Sequence, residues 1–190
     1  MIQVLLASNN RGKYDELVDM FAEHGIDLVF HGELDLIEDS PILEKNAESK
    51  AICGAKQTGM IALGEDTGFF IRALDYFPGV HANRWMEGTW HEKRMEVLKL
   101  MEGKTDRNAY LINNFALATP QGEIIAHAKV RNEYQIGYEE HVNPDAETFG
   151  YNPLLIMQGH YIGDLGREER NFLKNRGRFI KEMKKVIENI

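Results

Sequence analysis

Residues 2–13, Ile2-Gln3-Val4-Leu5-Leu6-Ala7-Ser8-Asn9-Asn10-Arg11-Gly12-Lys13, hold the pattern that decides the fold. A short apolar run, Ile2 to Ala7, breaks into a polar turn that contains glycine. A helical pattern then begins at once, with Tyr14, Leu17, Val18 and Phe21 recurring on one face over 11–24. A buried strand feeding such a turn at a helix start is suited to hold phosphate. Backbone N–H groups point outward there, the helix dipole favours anions, and Lys13 adds a full positive charge. The strict P-loop spacing is absent, and an ordinary strand-to-helix turn uses the same residue types, so the rest of the chain must decide between them.

Outward from that stretch, Gly25 closes the helix and Ile26 to Phe30 form a second strand candidate. An acidic loop, Glu33 to Ser40, follows. Leu43 to Thr58 reads as a helix ending at Gly59, and Met60 to Gly64 as a short apolar strand that delivers Glu65-Asp66-Thr67-Gly68 to its end. A turn at Phe77-Pro78-Gly79, a helix over 91–101 and a long hairpin over 109–118 and 123–134 come next. Phe149-Gly150-Tyr151-Asn152-Pro153 then leads into apolar Leu154 to Met157. The chain finishes in a basic helix from about Arg167 to Ile190, with an interruption near Gly177. Strands alternating with helices, then a hairpin, predict an α/β fold. Its expected form is a mixed twisted central sheet with flanking helices, in two lobes around an active-site cleft and forming one domain over 1–190.

With 43% apolar and 27% charged residues, the 190-residue chain can bury a real core. Its net charge of −8 argues against binding a nucleic-acid polymer over its whole surface, but not against a small anion in a locally basic cleft. The single cysteine, Cys53, forms no internal disulfide, and the histidines lack metal-ligand spacing, which makes a zinc site a poor reading. No apolar run is long enough to span a membrane, and no signal peptide is evident, so the expectation is a cytoplasmic protein.

Chemistry concentrates at three places. Glu65-Asp66-Thr67-Gly68 is either a solvated turn or a hard-cation site. Carboxylate oxygens are the ligands Mg²⁺ prefers, and Glu38, with Asp39 beside it in the acidic loop, completes such a set. Arg167, Arg170, Lys174, Arg176 and Arg178 form a basic segment that is either a solvated helix surface or one wall of an anion site. A cleft lined by Lys13, Lys50, Arg170 and Arg176 would match a triphosphate, the carboxylates holding the metal. Phe149, followed by glycine, is a candidate for stacking on a base or a plug beneath its loop.

In this order the segments resemble the Ham1-like nucleoside triphosphate pyrophosphatases, the inosine/xanthosine triphosphate family, from Leu6 to about Arg178. The motifs that carry the resemblance are Ala7 to Lys13, Asn46-Ala47 with Lys50-Ala51, and Glu65-Asp66-Thr67-Gly68 with Ala73-Leu74 and Pro78-Gly79-Val80. Phe149 to Pro153 and Asn175-Arg176-Gly177 complete them. The resemblance implies that Ser8, Asn9, Asn10, Arg11, Gly12 and Lys13 bind phosphates. It implies that Glu38 and Asp66 hold Mg²⁺ with Glu65 close by, and that Asp66 orients or deprotonates the attacking water. Thr67 would contact substrate, Phe149, Gly150, Tyr151 and Asn152 would face the base, and Arg170, Asn175 and Arg176 would close over it. Water attack on the α-phosphorus would release pyrophosphate and a nucleoside monophosphate. A homodimer is implied as well.

The departures from the family pattern are specific. Asn152 stands where the family has Asp, so an acceptor-only group becomes an amide that also donates. Lys174-Asn175-Arg176 replaces Ser-His-Arg, Lys45 replaces the Glu before Asn-Ala, and Ala128 to Tyr134 replaces a glycine-rich hairpin segment. Metal and phosphate positions are largely kept while base-facing ones have changed, which points to altered or relaxed base selectivity. A nucleotide-binding protein with impaired catalysis and an interaction protein that grips an acidic partner through its basic helix stay open as alternatives.

Overall fold

A computed structural model of the chain describes residues 2–144, 149–174 and 177–189. It divides into two compact units: Met1–Thr67, Asn113–Val130 and Asn175–Ile190 form the first, Gly68–Ile112 and Arg131–Lys174 the second. The α/β class read from the alternation of patterns is the observed one.

In the first unit β1 (Ile2–Ala7) lies between two parallel neighbours, β2 (Ile26–Val29) on one side and β3 (Ala62–Ile71) on the other. Beyond β3 come β5 (Asn108–Ala118) and β6 (Ile124–Ile136), joined by the turn in which Gly122 N–H donates to Thr119 O at 2.8 Å. From Val4 to Ala7 strand β1 is buried on both faces, as the apolar run there requires. One face packs on α1 (Arg11–Glu23) and α5 (Gly177–Ile187) through Val4, Leu6, Leu17, Phe21, Phe179 and Ile180. Phe179 stacks on Phe115 with ring centroids 4.2 Å apart. The other face packs on α2 (Leu43–Thr58) through Leu5, Ala7, Ala47, Ala51 and Ala55, a small-residue stripe that lets the helix lie close. The close approach is tightest at Gly64, where a methyl group would lie 2.0 Å from the Ala47 carbonyl oxygen and 2.7 Å from the Ala51 nitrogen.

In the second unit β4 (Pro78–Gly79) pairs with the far end of β3 at Phe69 and Phe70, and β6 continues to β7 (Leu155–Met157) and β8 (His160–Tyr161) through antiparallel pairings. Helix α3 (Trp90–Leu100) starts with a capping box between Thr89 and Glu92 and buries Val97 against Phe69, Ile71 and Leu154. Trp85 and Trp90 pack on this core, so both are anchors of the unit's own interior. Among the described residues no helix is long and apolar enough to cross a membrane.

One expectation changes. Strand β3 does not stop at Gly64 but runs on through Glu65-Asp66-Thr67-Gly68 to Ile71, because both carboxylates find partners inside the protein and Phe69 and Ile71 belong to a second core. The basic C-terminal segment is two helices, α4 (Arg167–Leu173) and α5, with the interruption before Gly177 that the sequence suggests, and α5 uses its Phe179, Ile180, Met183 and Ile187 face for packing.

Because the Gly64 contact is to helix backbone, no rotamer change relieves it. Gly64→Ala should cost about 3 kcal/mol or more in urea unfolding. Wild-type stability in that variant would show that α2 is not held at this distance.

Candidate active site

Strand alternation decides how the acidic motif works. Glu65 and Asp66 are neighbours in β3, so their side chains leave opposite faces and the repulsion expected of adjacent carboxylates is relieved. Each then acquires its own partners. Asp66, 2% exposed, accepts from Lys50 Nζ at 2.9 Å and from Asn46 Nδ2 at 2.9 Å, both side chains rising from α2. Glu65, 3% exposed, accepts from Asn113 Nδ2 at 2.8 Å and from the Thr67 hydroxyl at 3.2 Å, and its other oxygen lies 3.9 Å from Lys13 Nζ.

The Lys50 ammonium joins the group together. Besides Asp66 it reaches Glu38 Oε2 at 3.0 Å and the Glu65 carbonyl at 3.1 Å. Lys13 Nζ approaches the same carbonyl at 3.4 Å. Burial works to raise the Asp66 carboxyl, but the Lys50 charge, hydrogen bonding with Glu38, the Lys13 charge and Asn46 outweigh it and hold Asp66 below the usual carboxylate range. A depressed carboxyl adds stability above its unfolded value, near pH 4, and that stability is lost as pH falls through the folded value.

The loops are tied to this group by side-chain amides. Asn46 also donates to Ser40 O at 3.0 Å and accepts from Ser40 N–H at 2.9 Å, fastening the acidic loop over Asp66. Asn9 grips the same loop further back, exchanging two 2.8 Å bonds with the backbone of Leu34. At the start of α1, Asn10 caps Gly12 N–H at 3.0 Å and Ser8 Oγ accepts from Asn10 N–H at 3.1 Å. Arg11 lies outward, pairing with Asp15 at 2.9 Å and sitting over the Tyr14 ring.

The expected base-facing residues lie in the second unit. Phe149 is half-buried and meets Trp90 edge-on, with centroids 5.4 Å apart. The Gly150 carbonyl accepts from Arg94 Nη1 at 2.8 Å, and Arg94 in turn pairs with Glu140. Tyr151 donates its hydroxyl to Ala82 O at 2.7 Å and receives Trp85 Nε1 at 2.7 Å; burial pushes its phenol up to about 12. Asn152 accepts from Lys174 Nζ at 3.0 Å, so two departures from the family pattern, 22 positions apart, meet each other. Arg170 is buried in the same unit. Asn175 and Arg176 lie outside the described residues.

The structure thus brings Lys13, Glu38, Lys50, Glu65, Asp66 and Thr67 together. Sequence reasoning missed Asn113 as a site residue and took Asn46 only as part of a motif. The signal was present: Asn113-Asn114 interrupts an otherwise apolar strand, where buried amides need dedicated partners. Among the described residues, the set whose ligand atoms all lie within 4.8 Å of one another is Glu44, Glu48 and His127, not the acidic residues expected to hold a metal. Lys45 pairs with Glu48 at 2.7 Å and His127 with Glu48 at 2.9 Å, so this group is an ion-pair network on the outer face of α2.

The family model described as "Ham1 family" matches residues 4–186. A dITP/XTP pyrophosphatase of Methanosarcina mazei is 34% identical over 182 residues, covering 95% of this chain and 94% of its own. One from Methanosarcina acetivorans is 33% identical, covering 96% and 95% respectively. The solved structure of a HAM1 protein from Coxiella burnetii superposes with a TM-score of 0.79 at 27% identity, covering all of both chains.

Removing the Lys50 ammonium would leave Asp66 buried without its ion-pair partner. Lys50→Met should lose about 3–5 kcal/mol in urea unfolding at pH 7. Without Lys50, burial favours the protonated acid, so the deficit should shrink as pH is lowered toward 5. An equal deficit at both pH values would contradict the ion pairing.

Proposed function

The chain belongs to the Ham1 family, and from that premise we propose that it is a nucleoside triphosphate pyrophosphohydrolase. It would convert a non-canonical purine nucleoside triphosphate, of the inosine or xanthosine kind, to the monophosphate and pyrophosphate. The observation that carries the reading is the buried group in which Lys50 is shared by Asp66 and Glu38, with Lys13 beside Glu65. Its similarity to the dITP/XTP pyrophosphatases of M. mazei and M. acetivorans supports it.

Both Glu38 and Asp66 place an oxygen within about 3 Å of one cation, so these hard donors fit a divalent ion such as Mg²⁺. Held by Glu38 and Asp66, with Glu65 close by, Mg²⁺ would neutralise phosphoryl oxygens and acidify bound water. Lys13 and Lys50 would neutralise phosphate oxygens, and the Ser8–Lys13 turn would position them. Asp66, ionised at neutral pH, would accept a hydrogen bond from the attacking water and orient it. Asp66 would orient that water or take its proton. The water oxygen would form a bond to the α-phosphorus as its proton passes to Asp66 or to solvent, while the bond to the bridging oxygen breaks and its electron pair leaves with pyrophosphate.

Thr67 is assigned to substrate contact, Phe149, Gly150, Tyr151 and Asn152 to the base, and Arg170, Asn175 and Arg176 to further substrate binding. The Lys174–Asn152 bond supports altered or relaxed base selectivity, since a buried ammonium and an amide occupy positions where the family pattern has serine and a carboxylate. We further take residues 1–190 as one catalytic domain, acting in the cytoplasm as a homodimer on a free nucleotide.

A panel of inosine, xanthosine and standard nucleoside triphosphates with Mg²⁺ tests the reaction. Pyrophosphate, not orthophosphate, should accompany the monophosphate. Asp66→Asn should lower turnover by about 10²–10⁴-fold while nucleotide binding survives. Equal turnover in that variant, or orthophosphate as product, would overturn the reading. Inosine and xanthosine triphosphates winning by orders of magnitude would remove the selectivity part alone.

A further inference from the structure

Asn113 reaches the acidic motif from β5, the strand beside β3. It is 3% exposed, and a buried amide is tolerated only where it makes strong hydrogen bonds. Its Nδ2 donates to Glu65 Oε1 and to Thr67 Oγ1, each at 2.8 Å, so both N–H bonds of the amide are used on the same face of β3. The reverse orientation would set the amide oxygen against the Glu65 carboxylate, two acceptors facing each other. Asn113 Oδ1 is meanwhile buried with no hydrogen-bond partner among the described residues, so the two donated bonds are what orient the amide.

The consequence falls on Thr67. Its hydroxyl proton points to Glu65 Oε1 at 3.2 Å and its oxygen already accepts from Asn113, so it can offer only a remaining lone pair. Glu65 Oε1 receives two bonds, which leaves Oε2 as the oxygen nearest Lys13 at 3.9 Å. From this arrangement we infer that Asn113 is a positioning residue of the site. It acts through Glu65 and Thr67, fixing the carboxylate plane of the first and making the hydroxyl of the second an acceptor. The inference rests on the pyrophosphohydrolase reading and adds to it a residue that acts through its bonds to Glu65 and Thr67.

The test is steady-state pyrophosphate release by the full chain with Mg²⁺ and its best nucleoside triphosphate. Asn113→Ala should lower kcat about 10–100-fold, the range for residues that orient a ligating or reacting group, with KM changed less than about threefold. Asn113→Asp has the same shape but, ionised, cannot donate to Glu65, and even protonated it supplies one donor instead of two, so it should fall at least as far; a purely space-filling role would leave it near wild type. In the cycle with Thr67→Val, the double variant should be no worse than about the poorer single one, because both remove one unit. Thermal melting establishes that each variant is folded, and Asn113→Ser replaces Asn113→Ala should the latter not fold. Wild-type kcat in the folded variants, or fully additive losses, would overturn the role of Asn113 and leave the activity standing. A wild-type chain that releases no pyrophosphate would instead overturn both.

Discussion

One ammonium group organises the acidic site. Lys50 Nζ lies within hydrogen-bond distance of the Asp66 carboxylate, the Glu38 carboxylate and the Glu65 carbonyl, and it stands almost wholly out of solvent. A buried charge survives only with such partners, and each partner needs the cation in turn. The surrounding sequence reads as the means of keeping that contact. Gly64 admits α2 to backbone distance of β3, and the alanine stripe of α2 sets the height at which Asn46 and Lys50 emerge. Asn46 and Asn9 then hold the acidic loop, so Glu38 arrives over the same cation.

The opposite face of β3 is built on a different chemistry. Glu65 is balanced mainly by neutral donors, the Asn113 amide and the Thr67 hydroxyl, with the Lys13 charge further off. Adjacent carboxylates are thereby accommodated in one strand by two means, an ion pair on one side and directed hydrogen bonds on the other.

Much of this was legible in the residues because burial writes itself as periodicity. The apolar run Ile2–Ala7, the 3.6-residue recurrence in α1, Gly59 after α2 and the turn between β5 and β6 appear in the structure close to where the patterns place them. The acidic motif was recognisable as chemistry, yet its backbone was misjudged. Glu-Asp-Thr-Gly has the composition of a turn, and only long-range partners, Lys50 and Asn113, make it a buried strand. Asn113 itself was invisible as a site residue for the same reason, since its meaning depends on which residues of β3 lie opposite. The Lys174–Asn152 bond likewise joins two departures that look unrelated when read 22 positions apart.

The central claim, that Glu38 and Asp66 form a cation site which Lys50 occupies until substrate and metal arrive, is tested most directly by diffraction. Crystals grown with Mn²⁺ and a nucleoside triphosphate analogue that resists cleavage between the α- and β-phosphates would give an anomalous map. The account predicts a peak about 2.1 Å from oxygens of Glu38 and Asp66, with Lys50 turned from Asp66 to a phosphate. A peak at Glu44, Glu48 and His127 instead, with Lys50 still bound to Asp66 and the analogue elsewhere, would contradict it.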